Sequence, residues 1–101
     1  MRLMIPRTEI LRLAKEGKIV FSKGKSESVS LSKEQVKELF LRLKRKRAKL
    51  SLYRYLVNYP NSPAPKYRIG YSLQGSLEGK RYSLEFKIER GRIVIYSVSR
   101  V

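Results

Sequence analysis

Strict alternation of apolar and polar residues marks the last third of the chain. Tyr82, Leu84, Phe86 and Ile88 are separated by Ser83, Glu85 and Lys87, a period of two that belongs to a strand with one buried face. Tyr67, Ile69, Tyr71 and Leu73 alternate in the same way with polar or small residues. From Ile93 to Val98 both faces are largely apolar, which predicts a central strand covered on both sides. These three strands form a C-terminal meander. The link Glu89-Arg90-Gly91 fits a three-residue hairpin loop with Gly91 in the left-handed region. That loop sets Phe86 near Val94, Leu84 near Tyr96 and Tyr82 near Val98. A two-residue Arg90-Gly91 loop would force Arg90 to positive φ and is disfavoured on that ground.

The N-terminal half reads differently. Thr8 is a predicted N-cap, Glu9 sits in the first turn, and Gly17 stops the helix. Ile10, Leu11, Leu13 and Ala14 give it an apolar stripe. Ile19–Phe21 then predicts a short strand, Lys23-Gly24-Lys25 a turn, and Ser26–Leu31 an edge strand with one small polar face. Ser32 and Gln35 form a capping box, with Glu34 well placed for the helix dipole. The second helix carries its stripe at Val36, Leu39, Phe40, Leu43 and Leu50. Ser51–Tyr59 fits helix continuation or strand, and Pro60, Pro63 and Pro65 predict an extended loop. The elements sum to a single α+β domain spanning residues 1–101. Its two helices pack on a mostly antiparallel sheet of four to five strands.

Charge changes the picture from fold to partner. The chain carries +16 in 101 residues. Between Leu39 and Leu77 there are nine cations and no carboxylate, with seven of the nine between Arg42 and Arg54. Lys44, Arg45, Lys46 and Arg47 are consecutive. Such an imbalance destabilises a compact state through self-repulsion, so it points to a polyanionic partner, above all nucleic acid. On a helix these four residues advance about 100° each and point in four directions. Arg47 then falls on the line of the apolar stripe, where a bare charge cannot be buried. The second helix is therefore expected to project beyond the body at its basic end, or to let its long basic stems snorkel over the edge of the core. Tyrosines interleave with the charge at Tyr53-Arg54-Tyr55, Tyr59, Lys66-Tyr67-Arg68 and Arg81-Tyr82. Exposed rings there would stack on bases, whereas Tyr67, Tyr71, Tyr82 and Tyr96 sit on the apolar side of their strands and are expected to face the core.

Composition removes several chemistries. The chain has no Cys, His or Asp, and its eight acids are all Glu. Thiolate or imidazole metal sites and the usual nucleophile–base pairs are absent, and no cofactor is expected. Charged residues reach 32% while Asn and Gln number two each, a balance typical of heat-adapted proteins. No apolar run approaches the roughly 20 residues of a membrane span. The opening segment Met1–Pro6 is too short for a secretory signal. The expectation is a soluble cytoplasmic protein, encoded by a cell or by a virus or plasmid within one.

Two catalytic patterns remain. Glu85-Phe86-Lys87 has the form of the E-x-K half of a metal-dependent nuclease motif, but the only nearby second acid is Glu78, in a loop; a cross-strand charge pattern explains it as well. The order of helix, strand, helix and C-terminal antiparallel meander, with the hairpin Phe86-Lys87-Ile88-Glu89-Arg90-Gly91-Arg92-Ile93-Val94-Ile95, resembles the small toxin ribonucleases of toxin–antitoxin systems. That resemblance covers the last third of the chain. It implies metal-independent RNA cleavage, with Arg68, Glu85, Arg92, Tyr96 and Arg100 as candidates for phosphate stabilisation or proton transfer. A third reading is a protein-interaction module with an acidic partner, or a homodimer formed through the Ser26–Leu31 edge. The sequence favours non-catalytic binding of DNA or RNA through backbone phosphates. The expected contact residues are Arg42, Lys44, Arg45, Lys46, Arg47, Lys49, Tyr53, Arg54, Tyr55, Lys66 and Arg68.

Overall fold

The computed structural model describes residues 5–27, 30–45, 47–57 and 66–101, with the backbone path alone for 23–27, 53–57 and 66–68. Its elements run α1 (Arg7–Lys15), β1 (Ile19–Glu27), α2 (Lys33–Leu41), a 3-10 turn (Arg42–Arg45), β2 (Ala48–Val57), β3 (Lys66–Leu77), β4 (Lys80–Glu89) and β5 (Arg92–Arg100). The five strands form one sheet in the order β1-β5-β4-β3-β2. All neighbours are antiparallel except β1 and β5. The α+β class and the C-terminal meander are as the sequence predicted. Both sheet edges, β1 and β2, come from before the meander.

Helix α1 begins one residue after Pro6 and has no side-chain cap, so Thr8 lies inside the first turn rather than capping it. The Pro6 carbonyl already accepts from Ile10 N–H at 3.0 Å, which starts the helix two residues earlier than expected. At the other end Gly17 takes φ +73°. Its N–H donates to Ala14 O at 3.0 Å, and Lys18 N–H to Leu13 O at 2.9 Å, a Schellman closure. The capping box of α2 forms as predicted, with Gln35 N–H on Ser32 Oγ at 3.2 Å and Ser32 N–H on Gln35 Oε1 at 2.8 Å.

Further expectations need correction. The second helix does not run to Leu50: it ends at Leu41, turns through 3-10 geometry, and β2 begins at Ala48. Arg47 N–H closes this turn on Arg42 O at 3.1 Å. Past Leu43 a helix would have no apolar side chain to bury until Ala48. The alternation Ala48, Leu50, Leu52 suits the sheet instead, and Leu50 is 8% exposed there. The Lys23-Gly24-Lys25 turn is absent. The backbone continues as one strand to Glu27, and the register against β5 slips between Phe21↔Ile95 and Ser26↔Ser97 to absorb it. Ser28 and Val29, from the predicted edge strand, lie outside the described residues. Leu31 is buried just before the α2 cap, where it joins Val36 in the core as the N′ residue of a hydrophobic staple.

The last hairpin takes the disfavoured two-residue loop. Glu89 pairs with Arg92, and Arg90 and Gly91 both adopt positive φ, +53° and +71°. The Glu78-Gly79 turn between β3 and β4 does the same, at +51° and +78°. Turns of this hand match the twist of the flanking strands, which offsets the local strain. The register becomes Phe86↔Ile95, Leu84↔Val98 and Tyr82↔Arg100. An irregularity beside Glu85 and Phe86 takes up Tyr96 as an extra residue, so Ile95 and Val98 both reach the core.

Both helices cover one face of the sheet. Ile10, Leu13 and Ala14 of α1 and Val36, Leu39 and Phe40 of α2 pack on Leu73, Leu84, Phe86, Ile93 and Ile95. Phe40 meets Phe86 edge to face at 4.9 Å, and Tyr71 stacks on the same ring at 5.5 Å. Helix and strand approach so closely at Gly75 that a Cβ there would lie 3.2 Å from Leu39 Cδ2. Tyr71 and Tyr82 lean on this core as expected. Tyr96 is half-buried, and the Tyr67 side chain lies outside the described residues. Strand β5 is interior to the sheet, but Val94 is only half-buried, because the described helices cover one side alone.

Candidate nucleic-acid interface

The C-terminal halves of α1 and α2 lie side by side, and the 3-10 turn continues the second of them. Leu43 anchors that turn in the core at 2% exposure. Its neighbours Arg42, Lys44 and Arg45 are thereby turned toward solvent and toward α1. Two adjoining cavities of about 340 and 320 Å³ open between the helices and share Lys15, Leu41 and Lys44 in their walls. Together they make one groove. Among the described residues its walls carry six cations (Arg12, Lys15, Arg42, Lys44, Arg45 and Arg47) and one acid, Glu38. Half-buried Leu11 and Leu41 contribute apolar surface.

The few acids nearby are already engaged. Arg42 Nη2 donates to Glu38 Oε1 at 3.3 Å, and Arg12 Nη1 to Glu16 Oε2 at 3.0 Å, with Lys18 Nζ at 3.8 Å from the same oxygen. Among the described residues Lys15, Lys44, Arg45 and Arg47 form no ion pair. Arg42 Nε is buried with no hydrogen-bond acceptor. The groove is therefore a concentration of positive potential, an arrangement suited to anionic oxygens.

The predicted contact residues divide into three groups. Arg42, Lys44, Arg45 and Arg47 come together in the groove, and Arg47 is exposed beyond the helix rather than on its apolar line. Lys46 lies outside the described residues. Lys49 is exposed on β2 opposite Gln74, on the sheet face away from the helices. Tyr53, Arg54, Tyr55, Lys66 and Arg68 fall in a two-stranded ribbon. Residues 53–57 pair with 66–70 of β3, while β3 meets β4 only from Tyr71 onward. At about 3.3 Å per residue, this ribbon lies roughly 17–30 Å along β2 from the 3-10 turn. Tyr59 and the three loop prolines lie outside the described residues. Arg12 and Lys15 were missed. Thr8, Arg12 and Lys15 share one helical face by their i, i+4, i+7 spacing, which was the available signal.

The structure does not bring all of the ribonuclease candidates together. Arg92 pairs with Glu89 at one end of β5 and Arg100 with Tyr82 at the other, about 26 Å apart at strand rise. Glu85 sits between Ser72 and Ser97 on the open sheet face. Lys87 Nζ lies 3.1 Å from Glu89 Oε2, so the E-x-K lysine pairs along its own strand and Glu89 is held below the usual carboxylate range by that hydrogen bond. Desolvation at the β5 irregularity pushes the Tyr96 phenol up to about 12. Arg68 is on the ribbon, opposite Tyr55. Among the described residues no cluster of three or more acids could hold a metal ion, and no helix is long and apolar enough to cross a membrane.

No protein-family model and no curated protein matches this chain. Among solved structures, a designed NTF2-type protein is similar over 93% of this chain and 91% of its own, at 14% identity and a TM-score of 0.32. A likeness that shallow supports no statement about fold or function.

Proposed function

We propose that this protein binds nucleic acid without cleaving it, mainly through backbone phosphates. The observation that carries the reading is the groove between α1 and α2: six cations face one acid there, and four of the six have no ion pair among the described residues. Clustering like charges costs free energy in the unliganded fold, and a phosphate backbone offsets that cost by contact and by release of its counterions. The β2–β3 ribbon, with Arg54, Lys66 and Arg68 along its two strands, supplies a second positive segment for the same polyanion. No acid interrupts the chain between the two. Such a ligand places the protein inside a cell, where the cytoplasm is the expected compartment.

The test is a salt titration of binding to labelled single- and double-stranded DNA and RNA, with each reaction run on a gel. Affinity should fall linearly on a log–log plot against salt, with every strand intact. Absence of binding at about 50 mM salt, or binding indifferent to salt, would defeat the reading. RNA cut in the presence of a chelator would replace it with the ribonuclease.

A further inference from the structure

Resting on that reading, we infer that the groove takes unpaired nucleotides, so that the protein prefers a single strand to a duplex. Phosphate capture alone does not account for the groove's floor. Leu41 is half-buried in its lining and does not join the core that α1 and α2 form through Ile10, Leu13, Val36, Leu39 and Phe40; Leu11 lines it too, although it also packs partly on that core. A solvated helix face at Leu41 would be polar. A duplex offers phosphates and sugars at its surface and keeps its base faces stacked inside. An unpaired nucleotide brings an apolar base face together with its phosphate, and so satisfies leucine and cation at once.

A further observation fits the same occupant. The two cavities, about 340 and 320 Å³, join through Lys15, Leu41 and Lys44. Each falls in the roughly 300–1,000 Å³ range of small-ligand sites, so the pair suits successive nucleotides of one strand. Among the described residues no aromatic ring lines either cavity. The bases would be covered rather than stacked, which predicts little preference among them.

The experiment compares a labelled single strand with a blunt duplex of the same sequence by fluorescence anisotropy at fixed salt. It uses the full chain and the variants Leu41→Gln and Leu11→Gln. The wild-type protein should bind the single strand at least fivefold more tightly. Each variant should lose severalfold on the single strand, lose nothing on the duplex, and keep the salt slope, because no charge has changed. Equal affinity of the wild-type protein for both forms overturns the inference whatever the variants do, and leaves phosphate-backbone binding standing. Failure to bind either form defeats the underlying reading instead. Single-strand preference in the wild-type protein with both folded variants unaffected, as judged by circular dichroism, also overturns the inference, since the apolar floor would then be irrelevant.

Discussion

Replacing Lys44, Arg45 and Arg47 by alanine removes three of the four groove cations that have no ion pair among the described residues. Each phosphate contact contributes about −0.7 to the log–log salt slope on a single strand and about −0.9 on B-form duplex. The triple variant should therefore flatten the slope by about 2 on single strands and about 2.7 on duplex. If the four free cations dominate binding, raising salt from 50 to 200 mM weakens the wild-type complex on single strands about fiftyfold and the variant's only about threefold. Anisotropy titrations at four or more salt concentrations measure this directly. All three side chains are exposed and none joins the core, so the melting temperature should hold or rise as self-repulsion drops. Alanine at Lys33, Lys80 and Arg92, which are exposed and outside the groove, removes the same charge. If this control flattens the slope as much as the groove triple, net charge alone drives binding and the groove has no special part. An unchanged slope in the groove variant would refute the assignment outright.

The tight turns make a stability prediction. Glu78→Asn and Arg90→Asn keep the positive φ of +51° and +53° but place there a residue that tolerates it, and each should stabilise by roughly 0.5–1 kcal/mol in urea unfolding. Phe86→Ala should cost about 3–5 kcal/mol in the same assay, since the ring is fully buried against Phe40 and Tyr71. Gly75→Ala should destabilise by about 1–3 kcal/mol, because the new methyl would sit 3.2 Å from Leu39 Cδ2 and 3.3 Å from Ala48 Cβ. Tyr96, with its phenol pushed up to about 12, should ionise only in the strongly alkaline part of an absorbance titration, and Tyr96→Phe should delete that step. The unfolded chain loses this proton near the ordinary phenol value of about 10 and the folded one only near 12. The tyrosine's contribution to stability is thus complete below the first value and lost as pH rises to the second, a decline that pH-dependent urea unfolding would follow.

Local patterns predicted what local forces determine. The alternation around Leu84 and Phe86 needs only a strand with one covered face, and the Ser32–Gln35 box needs only its own four residues; both appear as read. The errors arose where a distant partner decides. Arg90 accepts positive φ because the two-residue loop fits the strand twist and brings Ile95 opposite Phe86, a gain on the far side of the strand. The Lys23-Gly24-Lys25 segment is not a reversal because β1 pairs in parallel with β5, the last strand made, and no short-range signal announces that pairing. The site follows the same rule. Its basic run was plain in the sequence, but its opposite wall, Arg12 and Lys15, comes from the first helix and needs the packing of α1 on α2 to be seen.

The end of α2 links fold and site. Four consecutive cations on a continuing helix would spray around its axis, and Arg47 would press on the line of Leu39 and Leu43. That geometry implied a projecting rod. The chain resolves the conflict by abandoning the helix. Leu50 is better buried from a strand, Leu43 pins a single 3-10 turn beneath the cations, and the Arg47 N–H returns to Arg42 O to close it. Lys44, Arg45 and Arg47 instead line one side of a groove whose other side is α1. A rod would have met a phosphate backbone at a few points along one line. A groove with cations on both walls and leucine in its lining offers surface on two sides, and on the proposed reading that favours an unpaired strand, which exposes base faces as well as phosphates, over a duplex.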